Sequence, residues 1–310
     1  MGERVFITEV GLRDGLQNQP VPVSTQDKLR LANALIAAGV RRLEAVSFVH
    51  PKIVPQMADA VEVLAGLPKV DALNVTALVP NMKGYERARE QGLKRVAVVV
   101  STTDTFNLRN LNMTTAQTME ASLSVIRQAR QDGLSARAYI SGALACPYDG
   151  PTPVDVVHRM AEQLINGGAD EISVADTIGA GNPRQIKDIL RPLVAQYGAE
   201  AFNLHLHDTR GMALAMAWAG IECGVRKFDS SVGGLGGCPF APGASGNVAT
   251  EDLVYMLEAS GFDSGISLEG LREAVAIAEQ ATQKTLGGRI LTWMRSQDAL
   301  KAAKAQPCAS

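Results

Sequence analysis

Two histidines separated by one residue, His205 and His207, end the segment Phe202-Asn203-Leu204-His205-Leu206-His207. Polar and apolar residues alternate there with the period of a β-strand, so both imidazoles and Asn203 point to one face. Two imidazoles placed in this way can converge on one metal ion, or they can form a hydrogen-bonded structural pair. Metal ligation is the interpretation that we carry forward.

A second candidate segment runs from Glu9 to Asn18 and contains Arg13-Asp14-Gly15 after a β-branched run. In a structural interpretation, Asp14 and Gly15 only form a turn and Arg13 is solvated. In a functional one, Asp14 completes a set of two histidines and one carboxylate with open coordination positions. Since neither a third histidine nor a thiolate accompanies this set, Mg²⁺ or Mn²⁺ is favoured over a structural zinc.

Further ionisable side chains lie near the ends of other predicted strands, namely Glu44, Asp176 and, on alternate positions of one strand, Arg137 and Tyr139. One such residue alone would be interpreted as a structural salt bridge, and Arg137 remains open to that interpretation. Their occurrence on several strands together indicates a polar site.

A glycine-rich segment extends from Gly233 to Asn247 and carries Cys238. It matches neither a Walker P-loop nor a strict GxGxxG pattern, which argues against a nucleotide cradle. We predict a mobile lid that closes on substrate and excludes water. Cys238 is a candidate acid, base or nucleophile, with packing within the lid as the alternative.

The elements that must position these residues alternate between short strands and longer helices along the whole chain. We predict helices over Thr25 to Ala38, Thr115 to Gln131, Pro153 to Ile165, Pro183 to Gln196 and Met212 to Cys223. The predicted strands are Val5 to Val10, Arg42 to Phe48, Ala72 to Val79, Arg95 to Ser101, Ser135 to Ser141, Asp170 to Asp176, Ala201 to His207 and Lys227 to Val232.

Eight strand–helix units predict a (β/α)8 TIM barrel over residues 1–266, and residues 267–310 are predicted to form a C-terminal helical extension packed on it. In such a barrel the carboxyl ends of the strands form one rim, and catalytic residues lie there. The candidate side chains are predicted to meet at that rim.

Composition excludes several classes of function. The chain has 30 Lys+Arg against 32 Asp+Glu, a net charge of −2, which disfavours nucleic-acid binding. Four cysteines without a CxxC pattern indicate reduced thiols rather than a disulfide framework. Because we find no signal segment and no apolar run of the roughly 18 residues that a membrane span needs, we expect a cytoplasmic protein without membrane contact.

Several segments resemble the 3-hydroxy-3-methylglutaryl-CoA lyases, a family of metal-dependent barrels whose first strand ends in Arg-Asp-Gly. The last of these segments is the most specific, because it joins the glycine-rich loop, its cysteine and the following Asn and Glu. The matching segments are EVGLRDGLQN, LEAVSFVHPKIVPQMAD, CPYDG, ADTIGAGNP, NLHLHDTRGMALA and GGLGGCPFAPGASGNVATEDLVYML.

The resemblance implies cleavage of 3-hydroxy-3-methylglutaryl-CoA to acetyl-CoA and acetoacetate, a reaction of leucine degradation and ketone body metabolism. It implies a homodimer, an acyl-CoA substrate, Arg13 facing the thioester oxygen and Cys238 acting from the closing loop. The implied ligands of the divalent cation are Asp14, His205, His207 and Asn247. The implied supporting residues are Glu44, Asp176 and Glu251, and the predicted substrate contacts are Arg13, Gln17, Arg137 and Tyr139. We assign Cys308 no role, because its segment does not align with the family.

Three alternatives stay open. A related acetyl-CoA-dependent Claisen synthase shares the Arg-Asp-Gly and HxH motifs. A lyase for a longer-chain 3-hydroxyglutaryl-CoA differs only in the group on C3. A catalytically silent acyl-CoA-binding scaffold is disfavoured, because it would have lost part of the candidate set.

Overall fold

The computed structural model describes residues 2–237 and 246–305, and the segments that contain Cys238 and Cys308 lie outside them. Eight parallel strands close into a barrel in which β8 pairs with β1. The prediction of a (β/α)8 TIM barrel is confirmed. The strands are β1 Phe6–Glu9, β2 Arg42–Ser47, β3 Asn74–Leu78, β4 Arg95–Ser101, β5 Ser135–Ser141, β6 Glu171–Asp176, β7 Phe202–Leu206 and β8 Lys227–Ser230.

Helices surround the barrel, and their apolar faces bury a continuous core against the outward-facing residues of the strands. They are α1 Thr25–Ala37, α2 Ala60–Gly66, α3 Met82–Glu90, α4 Asp104–Leu111, α5 Thr115–Gln131, α6 Val154–Asn166, α7 Pro183–Tyr197, α8 Ala213–Glu222, α9 Thr250–Ala259, α10 Leu268–Thr282 and α11 Arg289–Ala305. Each predicted helix and strand agrees with the structure to within two residues at either end.

Local sequence signals explain where these helices begin and end. Ser24 caps α1 by accepting from the backbone N–H of Asp27, and Thr114 forms a capping box with Gln117 at α5. Before β2, β4, β6 and β8 the chain turns through a glycine of positive φ, a conformation that side chains with Cβ disfavour. These glycines are Gly39, Gly92, Gly168 and Gly224.

The C-terminal part continues the packing of the barrel. The N–H of Ser267 donates to the carbonyl of Ala38 at the end of α1. At the start of α11, the carboxylate of Asp252 on α9 accepts from the backbone N–H groups of Arg289 and Ile290. Short strands Glu3–Arg4 and Phe262–Asp263 pair in parallel, and Ala145–Cys146 pairs with Gly150–Pro151 in antiparallel. None of the helices in the described residues is long and apolar enough to span a membrane.

Candidate active site at the carboxyl rim of the barrel

The segment after β1 forms one π-helical turn, Gly11–Gly15, which buries Arg13 and Asp14 at the carboxyl rim. The turn lies tightly against the loop after β8. A Cβ atom on Gly15 would lie 2.9 Å from Cβ of Leu235, so a side chain there would force the two loops apart. The turn therefore delivers a guanidinium and a carboxylate, side by side, into the mouth of the barrel.

Asp14 meets both histidines of β7. Its Oδ2 atom lies 3.9 Å from Nε2 of His205 and 3.9 Å from Nε2 of His207. All three side chains are buried, and their ligand atoms lie within 4.8 Å of one another. This is the donor set of two imidazoles and one carboxylate that suits a divalent cation with open coordination positions.

Asn247 gives an independent test of whether a cation fits. Its Nδ2 donates to Oδ2 of Asp14 at 2.8 Å and to the carbonyl of Leu235 at 3.1 Å. Its Oδ1 is buried, and no group in the described residues donates to it. A buried amide oxygen without a donor is costly unless something else satisfies it. An oxygen ligand for a cation beside Asp14 would use this atom, so the residues fit the group.

A second carboxylate orients His205. Its Nδ1 lies 3.2 Å from Oδ2 of Asp229, and an ionised carboxylate can only accept, so Nδ1 carries the proton. Nε2 of His205 is then left with a lone pair that faces Asp14. Hydrogen bonding of the other ring nitrogen to a carboxylate is the usual way in which a metal-binding histidine is fixed in tautomer and orientation.

Arg13 is held between two carboxylates. Its Nη1 lies 2.6 Å from Oδ1 of Asp14, and its Nε lies 2.6 Å from Oε1 of Glu44. Burial opposes its charge, but Glu44 and Asp14 outweigh burial and raise the pKa of Arg13. Burial also raises the pKa of Asp14, yet the charge of Arg13, the two neighbouring histidines and the hydrogen bond from Asn247 hold that pKa well below its usual range. A fixed cation and a fixed anion thus lie next to each other.

Arg137 and Tyr139 lie below this layer, inside the barrel. Nη2 of Arg137 lies 2.9 Å from both oxygens of Asp229, and its Nε lies 3.3 Å from Oε1 of Glu171. The hydroxyl oxygen of Tyr139 lies 2.8 Å from Oε2 of Glu44 and 2.9 Å from Oδ2 of Asp229, so its one proton is shared between two carboxylate acceptors. These contacts match the structural alternative considered for Arg137, and its contact with substrate stays a prediction.

The remaining predicted residues support loops at the rim. Asp176 accepts from the N–H groups of Ala180 and Gly181, and burial raises its pKa. Glu251 accepts from Gly233 at 3.1 Å and thereby holds the base of the glycine-rich loop. Gln17 donates to Oδ1 of Asp14 at 3.2 Å. Residues 238–245 of the predicted lid, including Cys238 and its thiol, lie outside the described residues, so closure of the lid stays a prediction.

Three buried carboxylates were missed by the sequence analysis, namely Asp229, Glu9 and Glu171, the partner of Arg137. Asp229 lies on β8 next to His205 of β7, and Glu9 ends β1. Oε1 of Glu9 accepts from Gly11 and Val232, and its Oε2 accepts from the hydroxyl of Thr250. Acidic residues are depleted in strands, so an Asp or Glu inside a predicted strand was the available signal.

Comparison with known proteins places this arrangement in a group of enzymes. The HMGL-like family model matches residues 4–278. A hydroxymethylglutaryl-CoA lyase of Bacillus subtilis is 42% identical over 294 residues, which are 95% of this chain and 98% of the relative.

Two solved structures have the same fold and closely related sequences. An HMG-CoA lyase from Brucella melitensis is 45% identical, with a TM-score of 0.88 over 91% of this chain and 100% of that one. An HMG-CoA lyase from Acinetobacter baumannii in complex with coenzyme A and 3-methylmalate is 35% identical, with a TM-score of 0.88 over 99% of this chain and 96% of that one.

Proposed function

This chain belongs to the HMGL-like family, and from that premise we propose that it cleaves 3-hydroxy-3-methylglutaryl-CoA to acetyl-CoA and acetoacetate. It is a carbon–carbon lyase, and its reaction belongs to leucine degradation and ketone body metabolism. One observation carries the proposal. Arg13 lies beside the three buried donors Asp14, His205 and His207, so a site for a cation and a site for an oxyanion adjoin.

Asp14, His205, His207 and Asn247 would hold a divalent cation, for which we propose Mg²⁺ or Mn²⁺. Such a cation lowers the pKa of a bound hydroxyl and fixes a carboxylate oxygen, which suits the tertiary alcohol and free carboxylate of the substrate. Hydrogen bonds keep the ligand atoms in place. Asp229 orients His205, and Nδ2 of Asn247 donates a hydrogen bond to Asp14. The donor set is therefore fixed before substrate enters.

Arg13 provides the charge that the bond cleavage needs. When the bond between C2 and C3 breaks, its electron pair moves into the thioester and forms an enolate. A guanidinium already fixed between Glu44 and Asp14 can stabilise that oxyanion without reorganising during the reaction. Its negative partners hold Arg13 in position and keep it protonated.

Two protons must move for the reaction to balance. The substrate hydroxyl loses its proton, to His205, to Asp14 or to a water between them, and the hydroxyl carbon becomes the ketone of acetoacetate. The enolate gains a proton at C2 and becomes acetyl-CoA. We propose Cys238 as the source of that second proton, delivered from a loop that closes over the site.

An acetoacetate assay with and without chelator tests the proposed function. We expect acetoacetate to form from 3-hydroxy-3-methylglutaryl-CoA, to stop in excess chelator and to return with Mg²⁺ or Mn²⁺. A Claisen synthase would yield no acetoacetate, and a silent scaffold would bind the thioester without turnover. Full activity in excess chelator would refute the cation site.

A further inference from the structure

Three of the eight strands begin with a pair of adjacent basic residues, at the end of the barrel opposite the candidate active site. The pairs are Arg41-Arg42 at β2, Lys94-Arg95 at β4 and Arg226-Lys227 at β8. Neighbouring side chains of a strand point to opposite faces, so the two members of each pair have different surroundings. Each member therefore needs its own explanation.

The first members of these pairs lie outside the barrel. Nη1 of Arg41 donates to the carbonyls of Ile36 and Val40 at the end of α1, both at 2.8 Å. Nη1 of Arg226 makes the equivalent contacts at the end of α8. Guanidinium groups at these places satisfy carbonyls that have no partner within the helix. Lys94, the first member of the third pair, is exposed.

The second members, Arg42, Arg95 and Lys227, point into the barrel. Each lies two residues before a side chain that lies beside Tyr139 in the interior, so it shares that interior face. Burial lowers the pKa of Arg42, Glu171 opposes this shift, and the nearby charge of Arg95 adds to it. The guanidinium groups from β2 and β4 therefore lie close enough to repel each other.

A single carboxylate, Glu171 at the start of β6, lies between Lys227 and Arg42. Its Oε2 is 2.9 Å from Nζ of Lys227 and 3.9 Å from Nη1 of Arg42. Arg95 forms neither a salt bridge nor a side-chain hydrogen bond with any residue that the structure describes. We call Arg42, Arg95, Glu171 and Lys227 the amino-end cluster. Three cations in this cluster share one carboxylate.

Three other acidic residues near the amino-end cluster have partners of their own. Asp229, one layer further in, is paired with Arg137 at 2.9 Å. Glu3 is paired with Arg226 at 2.9 Å. Asp170 is exposed, and its Oδ2 accepts from a backbone N–H group of β5 at 2.8 Å. These carboxylates therefore leave the positive excess of the cluster uncompensated.

Partial burial makes this excess unfavourable. The side chains of Arg42 and Lys227 are only 23% and 19% exposed, and Arg95 is half-buried. Because water and salt screen such charges poorly, their repulsion destabilises the folded state unless an anion lies among them. Guanidinium groups offer paired N–H donors that match the oxygens of a tetrahedral oxyanion, and an ammonium group adds a point charge. Ser135, which pairs with Arg95 in β5, brings a hydroxyl to the same end of the barrel.

We propose that the amino-end cluster binds a small oxyanion with two negative charges, of the phosphate type, between Arg42, Arg95 and Lys227. Two negative charges match the excess of three cations over one carboxylate. The cluster lies at the opposite end of the barrel from Arg13 and the cation donors. The proposed anion is therefore not the substrate, and its binding does not depend on the proposed lyase function.

Titration of the full chain with inorganic phosphate tests the proposal. The buffer is mildly alkaline, so that phosphate is mainly divalent, and chloride keeps the ionic strength constant. We expect the melting temperature to rise by about 2–4 °C at a phosphate concentration about tenfold above Kd. R95Q should lose most of this rise, and its Kd for phosphate should weaken about tenfold or more, because one charged donor to the anion is gone.

K94Q is the matched control, since it removes the same charge one residue earlier, from a side chain outside the barrel. It should keep the rise in melting temperature and the wild-type Kd. A rise of wild-type size in R95Q would mean that phosphate binds elsewhere, and it would overturn the proposal. An equal loss in K94Q would also overturn it, because the effect would then be a general attraction to basic residues.

The phosphate-free protein provides a second test. If Arg95 has only the repulsion of Arg42 to meet there, R95Q should melt at or above the wild-type temperature in chloride buffer. A lower melting temperature of R95Q in that buffer would mean that Arg95 has a stabilising partner within the protein, and the proposal would be wrong. None of these measurements requires turnover, so a failure of the lyase proposal would leave their outcome unaffected.

Discussion

Two carboxylates of one segment, Glu9 and Asp14, are both buried, yet they lie in opposite electrostatic surroundings. Asp14 faces the interior of the barrel mouth, where the guanidinium of Arg13 lies 2.6 Å from its Oδ1. Glu9 lies behind that mouth, and its donors among residues 2–237 and 246–305 are all neutral, namely two backbone N–H groups and the hydroxyl of Thr250. Only four residues of chain separate a carboxylate that has a cationic partner from a carboxyl group whose hydrogen-bond donors are neutral.

The pKa values of the two carboxyl groups follow this difference. Burial raises the pKa of Glu9 to about 7, because its hydrogen bonds recover only part of the lost hydration. Burial acts on Asp14 in the same direction, but Arg13 and the histidines hold its pKa far below its usual range. Asp14 is therefore ionised at any working pH, as a ligand for a cation must be, while Glu9 titrates near neutrality and connects backbone segments.

Two other buried carboxylates, Asp229 and Glu251, differ in the same way. Asp229 is paired with Arg137, and although burial opposes its charge, that guanidinium and His205 lower its pKa to about 2. Glu251 accepts from the N–H groups of Gly233 and Gly288, and burial raises its pKa. Of these four carboxylates, Asp14 and Asp229, which have a guanidinium partner, lie next to His205. Glu9 and Glu251, which have none, hold loops.

Asp14→Asn removes the carboxylate that is paired with Arg13, and it is the most severe test of the contrast between Asp14 and Glu9. The amide is nearly isosteric and can still accept from Asn247, so the barrel should fold. We expect turnover to fall by more than about 10³-fold. Mutation of a residue that only hydrogen-bonds to a metal ligand already lowers metal affinity or activity about 10-fold to 100-fold, and Asp14 is itself a proposed ligand. Mn²⁺ binding, followed by titration of the purified variant, should weaken in parallel.

Glu251→Gln is the matched control for that experiment, since it neutralises a buried carboxylate that has no guanidinium partner. It should retain Mn²⁺ binding of wild-type strength. Wild-type Mn²⁺ affinity in Asp14→Asn, or an equal loss in the control, would contradict the division of roles.

Arg13→Gln removes the guanidinium that lies between Asp14 and Glu44, and it should have the next largest effect on turnover. If Arg13 stabilises an enolate that exists only during the reaction, kcat falls about 10²-fold to 10³-fold while KM changes little. Steady-state kinetics on the coenzyme A thioester measure both constants. A raised KM with near-normal kcat would mean that Arg13 only binds substrate. A normal kcat with a lowered melting temperature would mean that it only compensates Asp14 and Glu44.

The fold was predictable from the sequence because each of its signals is local. Alternating β-branched runs and helical patterns, separated by glycines such as Gly39 and Gly168, fix the strand–helix units. Once eight such units are counted, closure of a parallel barrel follows, and the rim position of His205 and Asp14 follows with it. The face of β7 that carries the histidines was set by period-two alternation alone.

The partners inside the barrel could not be predicted in the same way, because they depend on register between strands distant in sequence. His205 lies opposite Asp229 in the pairing of β7 with β8, and one residue of slippage would have put a different side chain there. The interior contacts of Arg137 likewise require β5, β6 and β8 together. Glu9 could have been noticed from its place in a predicted strand, but its partners could not, since the backbone N–H groups of Gly11 and Val232 follow no residue pattern.

Glu9→Gln should have the smallest effect and is visible as a change in the pH dependence of stability. The pKa of Glu9 is about 7 in the folded protein, above the ordinary value of 4.5. The folded state therefore binds the proton more tightly than the unfolded state, and this contribution to stability is complete below pH 4.5 and is lost as pH rises through 7.

Glutamine keeps the acceptor for Gly11 and Val232 and does not titrate. We expect urea unfolding to show that, from pH 5 to pH 8, the wild type loses about 2–3 kcal/mol more of its free energy of unfolding than Glu9→Gln does. Thr250→Val, which keeps the carboxyl but removes the hydroxyl donor, should retain the pH-dependent loss of the wild type. If the free energies of unfolding of Glu9→Gln and the wild type differ by the same amount at both pH values, the pKa of Glu9 is not raised by burial. The contrast with Asp14 would then be wrong.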